Sequence, residues 1–168
     1  PLEEGQTVEV LVVGREGMVG LGSLDSPDYT VPTRAMGQIA GRALKLDANI
    51  VREEFDRAGR LFRNLFHYIQ FVMVQTGQNV ACNRMHELEA RLAKWLLMVR
   101  DRQNSNTFTL THDFLAQMLG AQRASVTLAA GTLQRARLIN YHRGKIEIIA
   151  EEELQEVSCE CYEAHQKS

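Results

Sequence analysis

The sequence predicts an α+β protein in three parts: a small β-rich segment, a long apolar helix and a C-terminal winged helix-turn-helix. Three observations carry this. Residues 109–149, TLTHDFLAQMLGAQRASVTLAAGTLQRARLINYHRGKIEII, read as helix, glycine turn, helix and hairpin. From Phe114 to Ile146 the same stretch holds five Arg or Lys and no Asp or Glu. Upstream, apolar residues recur at three- and four-residue spacing from about Arg60 to Asn79 or Asn83.

In chain order, residues 7–13 (TVEVLVV) read as a strand, and residues 43–46 (ALKL) as another. Glycines at 14, 17, 20 and 22 mark turns between them. So short a β-segment has little stability alone and needs a cover. Residues 48–58 predict a short helix. The long helix after it carries Phe62, Leu65, Ile69, Val72 and Thr76 on one row, and Phe66, Ile69, Met73, Thr76 and Val80 on the next. That is a wide stripe and not a single seam. One edge can cover the β-segment while the other meets an identical helix, so these residues are the expected dimer interface; burial of the whole stripe inside one monomer is the competing reading. A hinge is expected at residues 79–83. A further helix over 84–102 turns Leu88, Leu92, Trp95, Leu96 and Val99 inward, and residues 103–106 (QNSN) form a polar loop.

In the helix-turn-helix, Thr109 or Thr111 is placed to cap the first helix, with Asp113 in its first turn. Leu115, Met118 and Leu119 face inward. Gly120 supplies the left-handed residue that ends the helix. The second helix begins near Gln122 and buries Val126, Ala129, Ala130 and Leu133. Arg123, Ser125 and Thr127 fall away from that stripe, where a recognition helix presents side chains to base edges and phosphates. Residues 141–145 (YHRGK) turn between residues 138–139 and the alternating Ile146, Glu147, Ile148, giving a wing with a basic tip. Charge distribution sharpens this. Residues 1–56 carry ten acidic and five basic groups, 57–113 four and eight, 114–146 none and five, and 147–168 seven and one. A net charge of −2 hides a basic middle. The unit therefore predicts binding to double-stranded DNA. Arg123 is the expected guanine contact, with Gln122, Ser125 and Thr127 beside it. Thr111, His112, Arg143 and Lys145 are expected at phosphates.

Other classes are disfavoured. No run of about 18 apolar residues predicts a membrane span, and the first residues, PLEEGQTVEV, lack the pattern of a secretory signal. Three cysteines, Cys82, Cys159 and Cys161, suit a reducing cytoplasm and read as free thiols, with no metal site and no cofactor expected. His67, His86, His112, His142 and His165 are scattered, and no nucleophile–base set predicts catalysis. A winged helix that docks a protein partner, without sequence-specific DNA binding, is the alternative function.

The arrangement resembles the Crp/Fnr family of regulators, which includes the cyclic-AMP receptor protein. The most specific block is residues 108–139, with LTxxxLAxxLG followed by RxSVxxxxxxLQxxxLI; residues 82–102 resemble the family's helix after the hinge, and GREGMVGLGSL at 14–24 its phosphate-cassette turn. The resemblance implies a partial cyclic-nucleotide-binding-type β-roll over residues 1–58, a dimerisation helix and hinge over 59–83, and a winged helix-turn-helix over 84–168. The family's roll begins several strands before residue 1. The resemblance further implies a homodimer on a pseudo-palindromic operator, with RNA polymerase as a further partner; it names no effector. Cyclic-AMP binding is not expected. Leu21 stands where the family has a ribose-binding Glu, Val31 and Pro32 where it has Arg and Ser, and Arg34 is out of register. On the recognition helix Arg123 keeps the family's first Arg, but Ala124 and Leu128 replace a Glu and a second Arg. The family's cysteine cluster for iron–sulfur binding is also not matched.

Overall fold

A computed structural model describes residues 8–15, 17–24, 33–39 and 41–166. The chain divides into two compact units, one within residues 13–74 and the other built from residues up to Val12 with residues from Gln75 onward.

In the first unit, helix α1 (Ala48–Asp56) starts at Asp47, whose carboxylate accepts from Asn49 N at 2.8 Å. Helix α2 (Arg60–Met85) begins here and continues into the second unit. Phe55, Phe62 and Phe66 form a row, with centroids 4.7 and 6.3 Å apart, and Leu65 is buried beside them. The glycine-rich turn docks on α2 through Tyr68, whose hydroxyl accepts from Met18 N (3.0 Å) and donates to Met18 O (2.9 Å). Gly17 is required at this contact, because a Cβ there would collide with the Tyr68 phenol. The expected strands do not form among the described residues. Residues 8–13 and 43–46 are not in a ladder, a 3-10 turn spans Leu21–Leu24, and Leu44 is fully exposed. An extended run becomes a strand only when a partner takes its N–H and C=O groups, and the described residues offer none here. Thr7, Val31 and Pro32 lie outside the described residues.

The second unit is organised around helix α3 (Leu88–Gln103), in which every residue from Arg91 to Val99 is buried. Strand β1 (Thr107–Thr109), helix α4 (His112–Leu119), helix α5 (Arg123–Arg135), strands β2 (Ile139–His142) and β3 (Lys145–Ile148), and helices α6 (Glu151–Val157) and α7 (Cys161–Gln166) follow. The sheet is antiparallel in the order β1-β3-β2. Its inward residues Phe108, Ile139, Ile146 and Ile148 join Leu92, Leu96, Val99, Leu115, Val126, Ala129 and Leu133 in one core. Neither β1 nor the two C-terminal helices was expected. Helices α6 and α7 cover α3 with Leu154 and Tyr162, and the Tyr162 hydroxyl donates to Asp101 Oδ2 at 2.8 Å.

The hinge also moves. Helix α2 runs unbroken through residues 79–83 to Met85, and the chain turns at His86 and Glu87. The polar residues there do not break the helix because they have tertiary partners. Asn79 donates to Val10 O (3.0 Å) and accepts from Lys94 Nζ (3.2 Å), and Gln78 donates to Cys161 Sγ (3.1 Å). The stripe on α2 is accordingly inverted in its second half. Gln75 and Cys82 are buried, while Met73 and Val80 are 69% and 66% exposed.

Candidate nucleic-acid interface

Helix α4 starts at Thr111, whose hydroxyl accepts from Phe114 N at 3.1 Å, so Thr111 and not Thr109 is the cap. It ends at Gly120, which sits at φ 57°, ψ 42°. The last carbonyl of the helix, Leu119 O, accepts from buried Arg91. Helix α5 then buries Val126, Ala129, Ala130 and Leu133, as its spacing predicts. Gln122, Arg123 and Ser125 are exposed, and so is Leu128 at 70%. Gln122 holds the N-cap position without a side-chain capping bond, so its amide stays available. Arg123 Nε lies 3.3 Å from Asp113 Oδ1 in an exposed pair, which adds little stability and leaves the guanidinium free to exchange partners.

Thr127 and His112 are tied to each other. Thr127 Oγ1 donates to Arg123 O at 3.0 Å and accepts from His112 Nδ1 at 2.9 Å. A hydroxyl has one proton, so the imidazole must supply the second bond and carries its hydrogen on Nδ1. His112 Nε2 is buried with no hydrogen-bond partner among the described residues. Burial, with Arg123 nearby, lowers the pKa of His112, which is therefore neutral at physiological pH. The same ring stacks on Tyr141 with centroids 4.3 Å apart, and the Tyr141 hydroxyl donates to Leu110 O at 3.2 Å. His112 thus joins the start of α4, the second turn of α5 and the wing.

The wing closes on two residues, since His142 pairs with Lys145. Arg143 and Gly144 both have positive φ, 50° and 81°, as the tight turn favoured by hairpin twist requires. His142, Arg143 and Lys145 are all exposed. Of the proposed DNA contacts, the geometry leaves Gln122, Arg123, Ser125, Arg143 and Lys145 open to a ligand, and gives Thr111, His112 and Thr127 roles within the fold.

A second constellation escaped the sequence reading. Cys82 and His86, one turn apart near the end of α2, meet Cys159 and Cys161 from the α6–α7 turn, and the four ligand atoms all lie within 4.8 Å of one another. The hydrogen bond from Cys159 lowers the Cys82 thiol to about 4, against the effect of burial, with His86 and Lys94 assisting. The Cys159 thiol is raised by its bond to Cys82 and then by burial, and that of Cys161 by burial first. The available signal was Cys-x-x-x-His on a helix combined with a distant Cys-x-Cys.

Fold and surface together define a winged helix-turn-helix unit. Residues 90–157 match the Crp-like helix-turn-helix domain. Solved structures agree in fold. A transcriptional regulator assigned to the Crp/Fnr family from Eubacterium rectale superposes with a TM-score of 0.57 at 21% identity, over 66% of this chain and 51% of its own. A Crp/Fnr-family regulator from Thermus thermophilus gives 0.55 at 24% identity, over 58% and 54%. FixK2 from Bradyrhizobium japonicum gives 0.54 at 14%, over 64% and 59%. The chain thus spans little more than half the length of these structures. No curated protein sequence matches it. Among the described residues, no helix is long and apolar enough to cross a membrane.

Proposed function

We propose that this chain is a homodimeric regulator that reads a pseudo-palindromic DNA operator and does so without cyclic AMP. The observation that carries the reading is His112, which brings the exposed N-terminal half of α5 and the basic wing together on a domain with no acidic residue from 114 to 146. Arg123 is the base-reading side chain, with Gln122 and Ser125 beside it; Arg143 and Lys145 hold phosphates.

Dimerisation is supported by the inverted stripe. Phe66, Met73 and Val80 recur every seven residues and are 49%, 69% and 66% exposed. A seven-residue apolar repeat in solvent calls for a second helix. Ile69, Val72 and Thr76 flank the seam half-buried, while Phe62 and Leu65 lie toward the edge covered by their own unit. Residues 1–58 are assigned to the sensor side, 59–83 to dimerisation and 84–168 to reading. Leu21, apolar where a ribose would need a carboxylate, supports independence from cyclic AMP.

Selection of duplexes from a random library, followed by anisotropy titrations, tests the proposal. Arg123→Ala should cost about 1–3 kcal/mol on the selected site and little on random DNA. An equal loss on all sequences would make Arg123 a phosphate contact. Exposed Leu128 on α5 favours a second reading, docking of a protein partner. Absence of any duplex binding at low salt would favour that reading.

A further inference from the structure

The residues around Cys82 form a site of a kind that free thiols do not need. Cys82 is fully buried, Cys159 and Cys161 are 5% and 2% exposed, and the three make a core cluster of their own, with partly buried Ala90 packed against it. Cys82 Sγ is 3.6 Å from Cys159 Sγ, and Cys161 Sγ is 3.6 Å from His86 Nδ1. A tetrahedral zinc ion with Zn–S near 2.3 Å and Zn–N near 2.05 Å places sulfurs about 3.8 Å apart and a sulfur and nitrogen about 3.6 Å apart. These two edges match a single ion, and all four ligand atoms lie within 4.8 Å of one another. An iron–sulfide cluster interposes several irons and sulfides and would spread its thiolates further.

The surroundings fit as well. His86 turns Nδ1 toward the sulfurs and its Nε2 meets Glu160 Oε1 at 3.1 Å, the carboxylate partner that orients a ligating imidazole. Gln78 Nε2 donates to Cys161 Sγ at 3.1 Å, as a donor to a thiolate would. Lys94, buried beside Cys82, offsets the single negative charge left by three thiolates and a divalent cation.

We propose that Cys82, His86, Cys159 and Cys161 bind one tetrahedral thiophilic divalent ion of the zinc class, which fastens the end of α2 to the C-terminal segment. Binding displaces the thiol protons to solvent and forms three metal–sulfur bonds and one metal–nitrogen bond. The Cys82–Cys159 link spans 77 residues and encloses the whole helix-turn-helix and wing. Closing so long a loop stabilises the reading domain and leaves no open coordination position, so the ion is structural. This inference is independent of whether the domain reads DNA.

The purified full chain is assayed for bound metal by mass spectrometry and then titrated with cobalt(II) after metal removal. One ion per chain is expected, with thiolate-to-cobalt charge transfer and the intense visible bands of tetrahedral cobalt. Cys161→Ser should lose that spectrum, and Glu160→Gln should weaken binding about 10-fold while keeping it. Circular dichroism confirms that both variants are folded; if Cys161→Ser does not fold, the native spectrum and Glu160→Gln decide. Weak octahedral bands, iron with sulfide, no bound metal, or a spectrum unchanged in folded Cys161→Ser would each overturn the assignment.

Discussion

His112 and Tyr141 stack nearly parallel, with an interplanar angle of 16° and centroids 4.3 Å apart, so the wing leans on the first residue of α4. The stack also removes water from the imidazole, and His112 titrates below its ordinary value.

That shift gives a pH dependence. The lowered pKa means the unfolded chain takes up a proton below about pH 6.5 when folded His112 does not. Stability held above that pH is therefore lost as pH falls through the folded value. His86 is shifted upward, first by its bond to Cys82, and acts in the opposite sense. Melting temperatures of the wild type and His112→Phe at about pH 8 and about pH 5.5 isolate the His112 contribution, since the remaining groups are common to both. The wild type should lose more on acidification than the variant; equal losses would remove His112 from the account.

Gly120 tests the turn. Its left-handed backbone disfavours any Cβ, and one added here would meet Val8 Cγ2 at 2.8 Å. Gly120→Ala should cost about 1–2 kcal/mol in chemical denaturation. Val8→Ala in the same chain should recover only the contact part, because the Val8 side chain can move and the backbone cannot. Full recovery would show that the φ angle is not the source.

Arg143 separates stability from affinity. An arginine at φ 50° is strained where asparagine is at ease. Arg143→Asn should raise stability by about 0.5–1 kcal/mol and weaken binding to every duplex alike, with the salt slope smaller by about 1. Sequence-selective loss would instead place Arg143 at a base.

Met73 and Val80 test the seam. A glutamate at either position adds charge to an exposed apolar row without touching the folded core. Met73→Glu and Val80→Glu should convert a dimer to monomer in sedimentation velocity and leave the circular dichroism of the reading domain unchanged. A wild-type chain that sediments as a monomer would refute the dimer directly.

The winged helix-turn-helix was legible in the sequence because its determinants are local. Leu115, Met118 and Leu119, then Gly120, then Val126, Ala129, Ala130 and Leu133 specify two helices and a turn through spacings of three and four and one positive φ. The alternation of Ile146, Glu147 and Ile148 and the Arg143–Gly144 pair did the same for the wing. Along α2 the apolar row was legible, but which half of the girth stays in solvent was not. That depended on Gln75, Gln78, Asn79 and Cys82 finding partners in other elements.

The chain by itself determined which stretches coil, where a glycine must turn left-handed, and where positive charge is left without acids. Tertiary structure decided the rest: where α2 ends, that residues 8–13 and 43–46 form no strands, that Thr127 and His112 bond to each other, and that thiols 77 residues apart in sequence converge on one imidazole. The physical reason is range. Helix periodicity, caps and turns are set within a few residues, whereas ladder partners, burial of polar side chains and a ligand tetrahedron exist only after distant segments meet.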